Sequence, residues 1–213
     1  MQAKKERTRY LVVFNTSDQL SEFCNHREYV SFEALSKDYD PEAIAALIQS
    51  HGSVHFEVAR GNTESFVNAV CAAVMSLGEK DADKCIVTVI FEEARNFLKK
   101  YKMPERASQL EAEGRKYGID LIKVDQRLQS QGDDCLDSAA YVNATVVVVF
   151  PTSDFNQRQR IMQAFPGIPD PLELRPPVPG KMPGEYAVFD RETGQKALIK
   201  RDESGARRCE VIL

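Results

Sequence analysis

The 213-residue chain has no apolar run approaching the roughly 20 residues that a bilayer-spanning helix needs; stretches such as Thr145 to Phe150 are far shorter. Its first residues, "MQAKKERTR", are basic with no apolar segment behind them, which is not the pattern of a secretory signal. A cytoplasmic protein without a membrane segment is therefore expected. Cysteine is sparse and unpaired in pattern: Cys24, Cys71, Cys85, Cys135 and Cys209 form an odd set with no CxxC, so they read as reduced packing residues rather than a disulfide framework. The histidines His26, His51 and His55 lack metal-ligand spacing and have no cysteine partner nearby, so no metal site is expected from protein side chains alone. There is no internal repeat. A formal net charge of −4 excludes wholesale coating of nucleic acid, while leaving room for a local basic patch.

What is present is a normal globular balance, 43% hydrophobic and 28% charged, enough for one large core. Five β-branched runs stand out: "YLVVFN" (10–15), "SVHFEVA" (53–59), "CIVTVIF" (85–91), "IDLIKV" (119–124) and "TVVVVF" (145–150). Near-continuous apolar character suits strands covered on both faces. Between them, "DPEAIAALIQS", "NTESFVNAVCAAVMSLGE" and "MPERASQLEAEGRKYG" carry helical periodicity, with Asn62 or Thr63 as a cap and Pro104 in a first turn. Strand–helix alternation at this spacing predicts a three-layer α/β domain, a mainly parallel sheet with helices on both faces, in which 85–91 and 119–124 are parallel neighbours. The core is expected over residues 1–165. Residues 166–213 hold a Pro/Gly-rich wrap, "PGIPDPLELRPPVPGKMPGE", and then two strand-like runs around "RETG", an antiparallel hairpin expected to pack on the same domain.

In doubly wound sheets ligands gather beyond the carboxyl ends of the strands. The residues there are Asn15, Arg60, Glu92, Glu93, Asp125, Gln126 and Arg127. In "VTVIFEEARNFLKK" (87–100) a buried run ends abruptly in two adjacent carboxylates ahead of a basic segment that reads as helical. Such a pair can hold a hydrated magnesium ion with one carboxylate and polarise a water with the other, as phosphoanhydride hydrolysis requires. The plainer alternative is two glutamates at a helix amino terminus, where negative charge is favourable by about 0.3–1 kcal/mol.

"VIFEEARNFLKK" resembles the Walker B strand and following helix of the FtsK/HerA superfamily of ring-forming, DNA-pumping ATPases. "LEAEGRKYGIDLIKVDQRL" is similar to that family's next helix end and strand, "NATVVVVFPTSDFNQRQRI" to its last core strand and helix, and "MPGEYAVFDRETGQKALIKR" to its closing hairpin. The resemblance runs from Arg9 to Arg201. It implies a RecA-like P-loop NTPase-type fold, ATP and magnesium as cofactors, DNA as partner, and a homo-oligomeric ring or a partner ATPase subunit. It also implies site roles. Glu92 would orient magnesium through water, in place of the usual aspartate; Glu93 would activate water; Gln126 would sense the γ-phosphate; Arg115 would reach a neighbouring subunit's nucleotide. The alternatives are a strand-end hydrogen bond for Gln126 and a surface salt bridge for Arg115. Lys99, Lys100, Lys102 and Arg106 around Tyr101 suit a loop that tracks nucleic-acid phosphates; the alternative is a solvated helix end.

One element of that family is absent: no glycine-rich phosphate loop ending in lysine and serine or threonine occurs. "PGKMPG" (179–184) lies among prolines without a following helix, and "ARGNTESF" (59–66) offers one glycine and no lysine. If "YLVVFN" is the family's second strand, the core is amino-terminally incomplete and the first strand with its loop is missing; if it is the first strand, "NTSDQLSEF" is a degenerate loop. In either register the chain is expected not to bind ATP tightly by itself. The implied function is an ATPase, or a fragment of one, coupling hydrolysis to DNA translocation or packaging. The alternatives are a non-hydrolysing structural or regulatory relative that partners an active motor, and an unrelated α/β binding module.

Overall fold

A computed structural model describes residues 8–99, 102–125, 140–141, 143–178, 184–201 and 206–212. The chain divides into two compact units, 1–141 and 142–213. The first carries β1 (Tyr10–Asn15), β2 (His26–Val30), α1 (Pro41–His51), β3 (Ser53–Val58), α2 (Glu64–Leu77), β4 (Val87–Glu92), α3 (Glu105–Glu113) and β5 (Ile119–Val124). Its five strands form one wholly parallel sheet in the order β2-β3-β1-β4-β5. The 85–91 and 119–124 runs are parallel neighbours as expected, Val87 opposite Ile119 and Glu92 opposite Val124.

Local chemistry sets the helix boundaries. Asp40 caps α1 by accepting the Glu42 N–H at 2.9 Å, with Pro41 at the first helical position. At α2 the cap position is Thr63, while the Asn62 carboxamide takes the Glu64 N–H at 3.3 Å, so the two candidate caps share the role. Gly118 ends the "EGRKYG" turn at φ 68°, and a Cβ there would lie 2.7 Å from the Lys84 carbonyl oxygen, so both conformation and space demand glycine.

Alternation along the strands sorts the two faces of the sheet. Tyr10, Val12, Phe14, Val54, Phe56, Val58, Val87, Val89 and Phe91 meet the apolar sides of α1, α2 and α3 in one core. Phe14 and Phe91 stack with centroids 4.6 Å apart and planes 13° from parallel; Phe66 of α2 stands edge-on to Phe56 at 5.3 Å. On the other face Leu11, Val13 and Ile90 pack with Leu20 and Cys24 of the segment after β1.

His55 also lies on that second face, fully buried, with no hydrogen-bond partner for either ring nitrogen among the described residues. Burial is the largest influence and, with Arg27 nearby, lowers its pKa from 6.5 despite Glu57, Asp18 and the Gln19 backbone. The folded state therefore binds fewer protons than the unfolded chain below pH 6.5, and stability conferred by the neutral ring is lost as pH falls from there toward the folded pKa. Unfolding free energies from urea titrations at neutral and mildly acidic pH should fall with acid, by up to about 1.4 kcal/mol per pH unit in that window. His55→Leu should flatten the dependence, and an equal slope in that variant would assign it to other groups.

The second unit holds β6 (Val146–Val149), α4 (Phe155–Ala164), β7 (Tyr186–Asp190), β8 (Lys196–Arg201) and β9 (Arg207–Ile212). Its sheet is antiparallel, in the order β6-β7-β8-β9. The run at 145–150, expected as the fifth strand of the parallel sheet, instead pairs antiparallel with β7. The physical reason shows in its exposure: Val146 is 52% and Val148 45% exposed while Val149 is buried, so this valine run is not the doubly covered strand its composition suggests. The "RETG" hairpin forms as expected. Asp190 Oδ1 accepts the N–H groups of Glu192 and Thr193 at 2.9 and 3.2 Å, and Gly194 takes φ 70°. In the Pro-rich wrap, Arg175 and the buried Glu185 clasp each other through side chains and backbone, and Arg158 pairs with Asp170.

Candidate functional site

Because the five-stranded sheet is wholly parallel, β1, β3, β4 and β5 deliver their carboxyl ends to one edge. β1 ends in Asn15, which is buried and organises the turn that follows. Its Oδ1 accepts from Thr16 N at 2.7 Å and Ser17 N at 3.2 Å, and its Nδ2 donates to the Gln19 carbonyl at 3.0 Å. That turn aims the Thr16 hydroxyl at Glu93.

Glu93 adopts φ 50°, ψ 52°, a left-handed conformation that costs a non-glycine residue about 1–3 kcal/mol and persists where surroundings enforce it. The enforcing contacts converge on one carboxylate oxygen. Oε2 accepts from Thr16 Oγ1 at 2.7 Å and from Asn96 Nδ2 at 2.9 Å, and the Arg60 guanidinium stands 3.9 Å away. No partner of Oε1 occurs among the described residues, so one oxygen is fixed and the other is open. The Thr16 hydrogen bond first, then that of Asn96 with the charges of Arg95 and Arg60, outweighs partial burial and holds Glu93 below the usual carboxylate range.

Glu92 behaves oppositely. Alternation turns it to the other face of the sheet, and half-burial, then the charges of Glu93 and Asp125, push its carboxyl above the usual range. It has no hydrogen bond or ion pair among the described residues. Asp125, directly after β5, is tied to the Arg95 backbone N–H at 2.7 Å and to its guanidinium at 2.9 Å, which locks the ends of β4 and β5 together. Two adjacent carboxyls with environments that push their titrations apart are the arrangement from which distinct roles for one acid pair arise.

The helix expected immediately after Glu93 does not form. Ala94–Asn96 is a single 3-10 turn, and the next α-helix begins at Glu105. A left-handed residue cannot open a regular helix, and both the Arg95 N–H and the Asn96 side chain are already committed to carboxylates. The acidic pair therefore does not sit at an α-helix amino terminus, and helix-dipole stabilisation does not explain it.

Thr16, Ala59, Arg60, Gly61, Thr63, Arg95, Asn96 and Lys99 line a cleft of about 260 Å³ at the same edge, beside Glu93. Lys99 thus joins the site. Lys102 and Arg106 are exposed farther along, Arg106 held by Gln109 at 2.8 Å. Arg115 lies in the 3-10 turn Gly114–Tyr117 that leads into the start of β5, the opposite end of the sheet from Glu93 by about 20 Å of strand; within one chain it does not reach the acidic pair. Gln126, Arg127, Lys100 and most of "PGKMPG" lie outside the described residues. Sequence reasoning missed Thr16 and Asn96, the two groups that fix Glu93. Thr16 directly follows β1, so the rule that ligands gather at carboxyl ends covered it; Asn96 gave no signal beyond being three residues away.

The acidic edge fits a hydrated cation near Glu92, which stands beside the charges of Glu93 and Asp125 and has no ion pair among the described residues. The glycine-rich loop ending in lysine and serine or threonine that cradles a triphosphate does not occur in the sequence. Among the described residues no cluster of three or more His, Cys, Asp or Glu side chains is arranged to hold a metal directly, and no helix is long and apolar enough to cross a membrane.

No protein-family model matches the chain, and no curated protein does. Solved structures do. The genome packaging NTPase B204 from Sulfolobus turreted icosahedral virus 2, in complex with AMPPCP, superposes with a TM-score of 0.59 at 15% identity over 92% of this chain and 83% of that one. Its sulfate complex gives 0.61 at 14% identity, over 92% and 82%. Its ATP-gammaS complex gives 0.51 at 14% identity, over 91% and 98%. At such identities the likeness is one of fold: the chain has the α/β architecture of a P-loop NTPase-like protein.

Proposed function

We propose that the chain is a subunit of an FtsK/HerA-type motor that couples ATP hydrolysis to DNA translocation or packaging, and that it contributes the carboxylates of a hydrolytic site whose phosphate loop lies outside these 213 residues. One observation carries this reading: Glu93, strained into a left-handed conformation, is fixed through Oε2 by Thr16 and Asn96 while Oε1 has no partner among the described residues. A base that must take a proton from water needs one lone-pair site aimed and unoccupied, and backbone strain held by dedicated hydrogen bonds marks functional positions.

In this reading Glu93 is ionised at neutral pH and accepts the water proton. Glu92 holds a hydrated magnesium ion, which when bound would neutralise the charge developing on the phosphates. The Arg95–Asp125 pair keeps the ends of β4 and β5 in register beneath them. Gln126 reads the γ-phosphate, and Arg115, at the far end of the sheet from its own chain's carboxylates, serves a neighbouring subunit in a ring. Lys99, Lys100, Lys102 and Arg106 face DNA. The nucleotide-analogue complexes and the packaging role of the structural neighbour support the direction of this reading.

The lack of a phosphate loop favours a second reading, a non-hydrolysing structural or regulatory partner of an active motor. Phosphate release by the chain assembled with a polypeptide that supplies the loop separates the two. Hydrolysis abolished by Glu93→Gln supports the motor subunit; turnover unchanged in that variant returns Glu93 to a local structural role.

A further inference from the structure

The cleft beside Glu93 has a charge and a size that the hydrolytic reading does not use. Arg60, Arg95 and Lys99 bring three positive charges to it. Asp125 neutralises Arg95 at 2.9 Å, and Glu93 offsets one more, at 3.9 Å from Arg60. Among these five groups the balance is positive, the sign an anionic ligand needs. Arg60 is 80% exposed and only loosely held by Glu93, so it can turn to an incoming anion without breaking a close ion pair. Lys99 has no ion pair among the described residues.

The rest of the lining is polar and held in place: the Thr16 hydroxyl and the Asn96 amide donate to Glu93, and the Thr63 hydroxyl donates to the Asn96 carbonyl at 3.3 Å. Thr63 is the cap residue of the 14-residue α2, so the positive end of that helix opens on the same space. At about 260 Å³ the cleft has room for a phosphate group. The basic surface also continues. The Lys102 N–H bonds the Lys99 carbonyl at 3.1 Å, and Arg106 follows at the start of α3.

We infer that this cleft binds one phosphodiester group of a polynucleotide backbone, with Arg60 and Lys99 as its charged ligands. The inference rests on the reading of the chain as acting on nucleic acid, and it adds the surface that contacts the strand, centred on Arg60 rather than on the 99–106 segment alone. No base contact is implied, so binding is independent of sequence and dependent on salt.

The test is fluorescence anisotropy of a labelled single-stranded thymidine oligonucleotide with the purified chain across a salt series. The chain should bind, and Arg60→Ala and Lys99→Ala should each weaken binding about 5- to 10-fold at low salt and reduce the salt slope by about one. Arg60→Lys should retain most of the affinity. Lys84→Ala, an exposed position before β4 at the opposite end of the sheet, should change little. Arg60 is exposed enough that its substitution leaves the fold intact, which circular dichroism checks. Wild-type affinity in both alanine variants would overturn the inference, as would no binding at all. Inorganic phosphate or a nucleoside monophosphate displacing the oligonucleotide at concentrations comparable to its own dissociation constant would also overturn it, by making the cleft a free-phosphate site. Because the assay involves no ATP, its failure leaves the Glu93 hydrolysis assay standing, and failure of that assay leaves this one readable.

Discussion

Glu93→Gln should lower hydrolysis by about 10²- to 10⁴-fold in an assembly that contains the phosphate loop, while nucleotide and DNA binding persist. The substitution keeps the size of the side chain and one carbonyl oxygen, so Thr16 and Asn96 can still anchor it and the left-handed turn survives. What is lost is the negative oxygen that accepts a proton. Thr16→Ala should act more weakly and through a different route: it removes the strongest influence holding the Glu93 carboxyl low, so the pH profile of turnover should move toward higher pH. The paired outcome, a large loss of rate in one variant and a displaced profile in the other, distinguishes a base from a residue that merely closes a turn.

Phe91→Ala should destabilise the first unit by about 3–5 kcal/mol, against a total of about 5–15 kcal/mol for an ordinary domain. Phe91 is 1% exposed, stacks on Phe14 with centroids 4.6 Å apart and leans on Phe97 at 6.1 Å. Each ring immediately supports the site: Phe14 precedes Asn15 and Thr16, Phe91 precedes Glu92 and Glu93, and Phe97 follows Asn96. The cavity left by the ring would thus loosen the three segments that aim the carboxylate as well as reduce stability. Urea unfolding of wild type and variant, with m unchanged, measures the first effect. A loss below about 1 kcal/mol would mean that the surrounding aromatic cluster collapses into the space and is less rigid than its packing indicates.

The strands that carry the site were legible because their chemistry is local. β1, β3 and β4 are apolar runs buried along most of their length, β5 is a less buried apolar run at the sheet edge, and helices of the right length join them in parallel. β2, "HREYV", was not legible: at the sheet edge, only Val30 of its five residues is buried, and the pattern that marks a strand is mostly charge. β6 misled in the other direction, since a run of valines looks the same whether one face or both are covered. Within the site, Glu92 and Glu93 announce themselves by interrupting an apolar run. The left-handed turn at Glu93 does not, because nothing in a glutamate at that position distinguishes it from one that continues into a helix. Thr16 and Asn96 become functional candidates only through their distances to Oε2, which depend on β1 and β4 lying side by side.

In the proposed motor the hydrolytic site is divided between this chain, which holds the carboxylates, and a phosphate loop outside it. Calorimetric titration of the purified chain with magnesium and ATP tests that division most directly. Four phosphate charges need a nest of amides and a lysine to replace their lost hydration, and Glu92 and Glu93 without a bridging cation repel them. The predicted result is no binding tighter than millimolar. Micromolar affinity would contradict the account, placing a phosphate cradle within these residues, at "NTSDQ" or "ARGNTES".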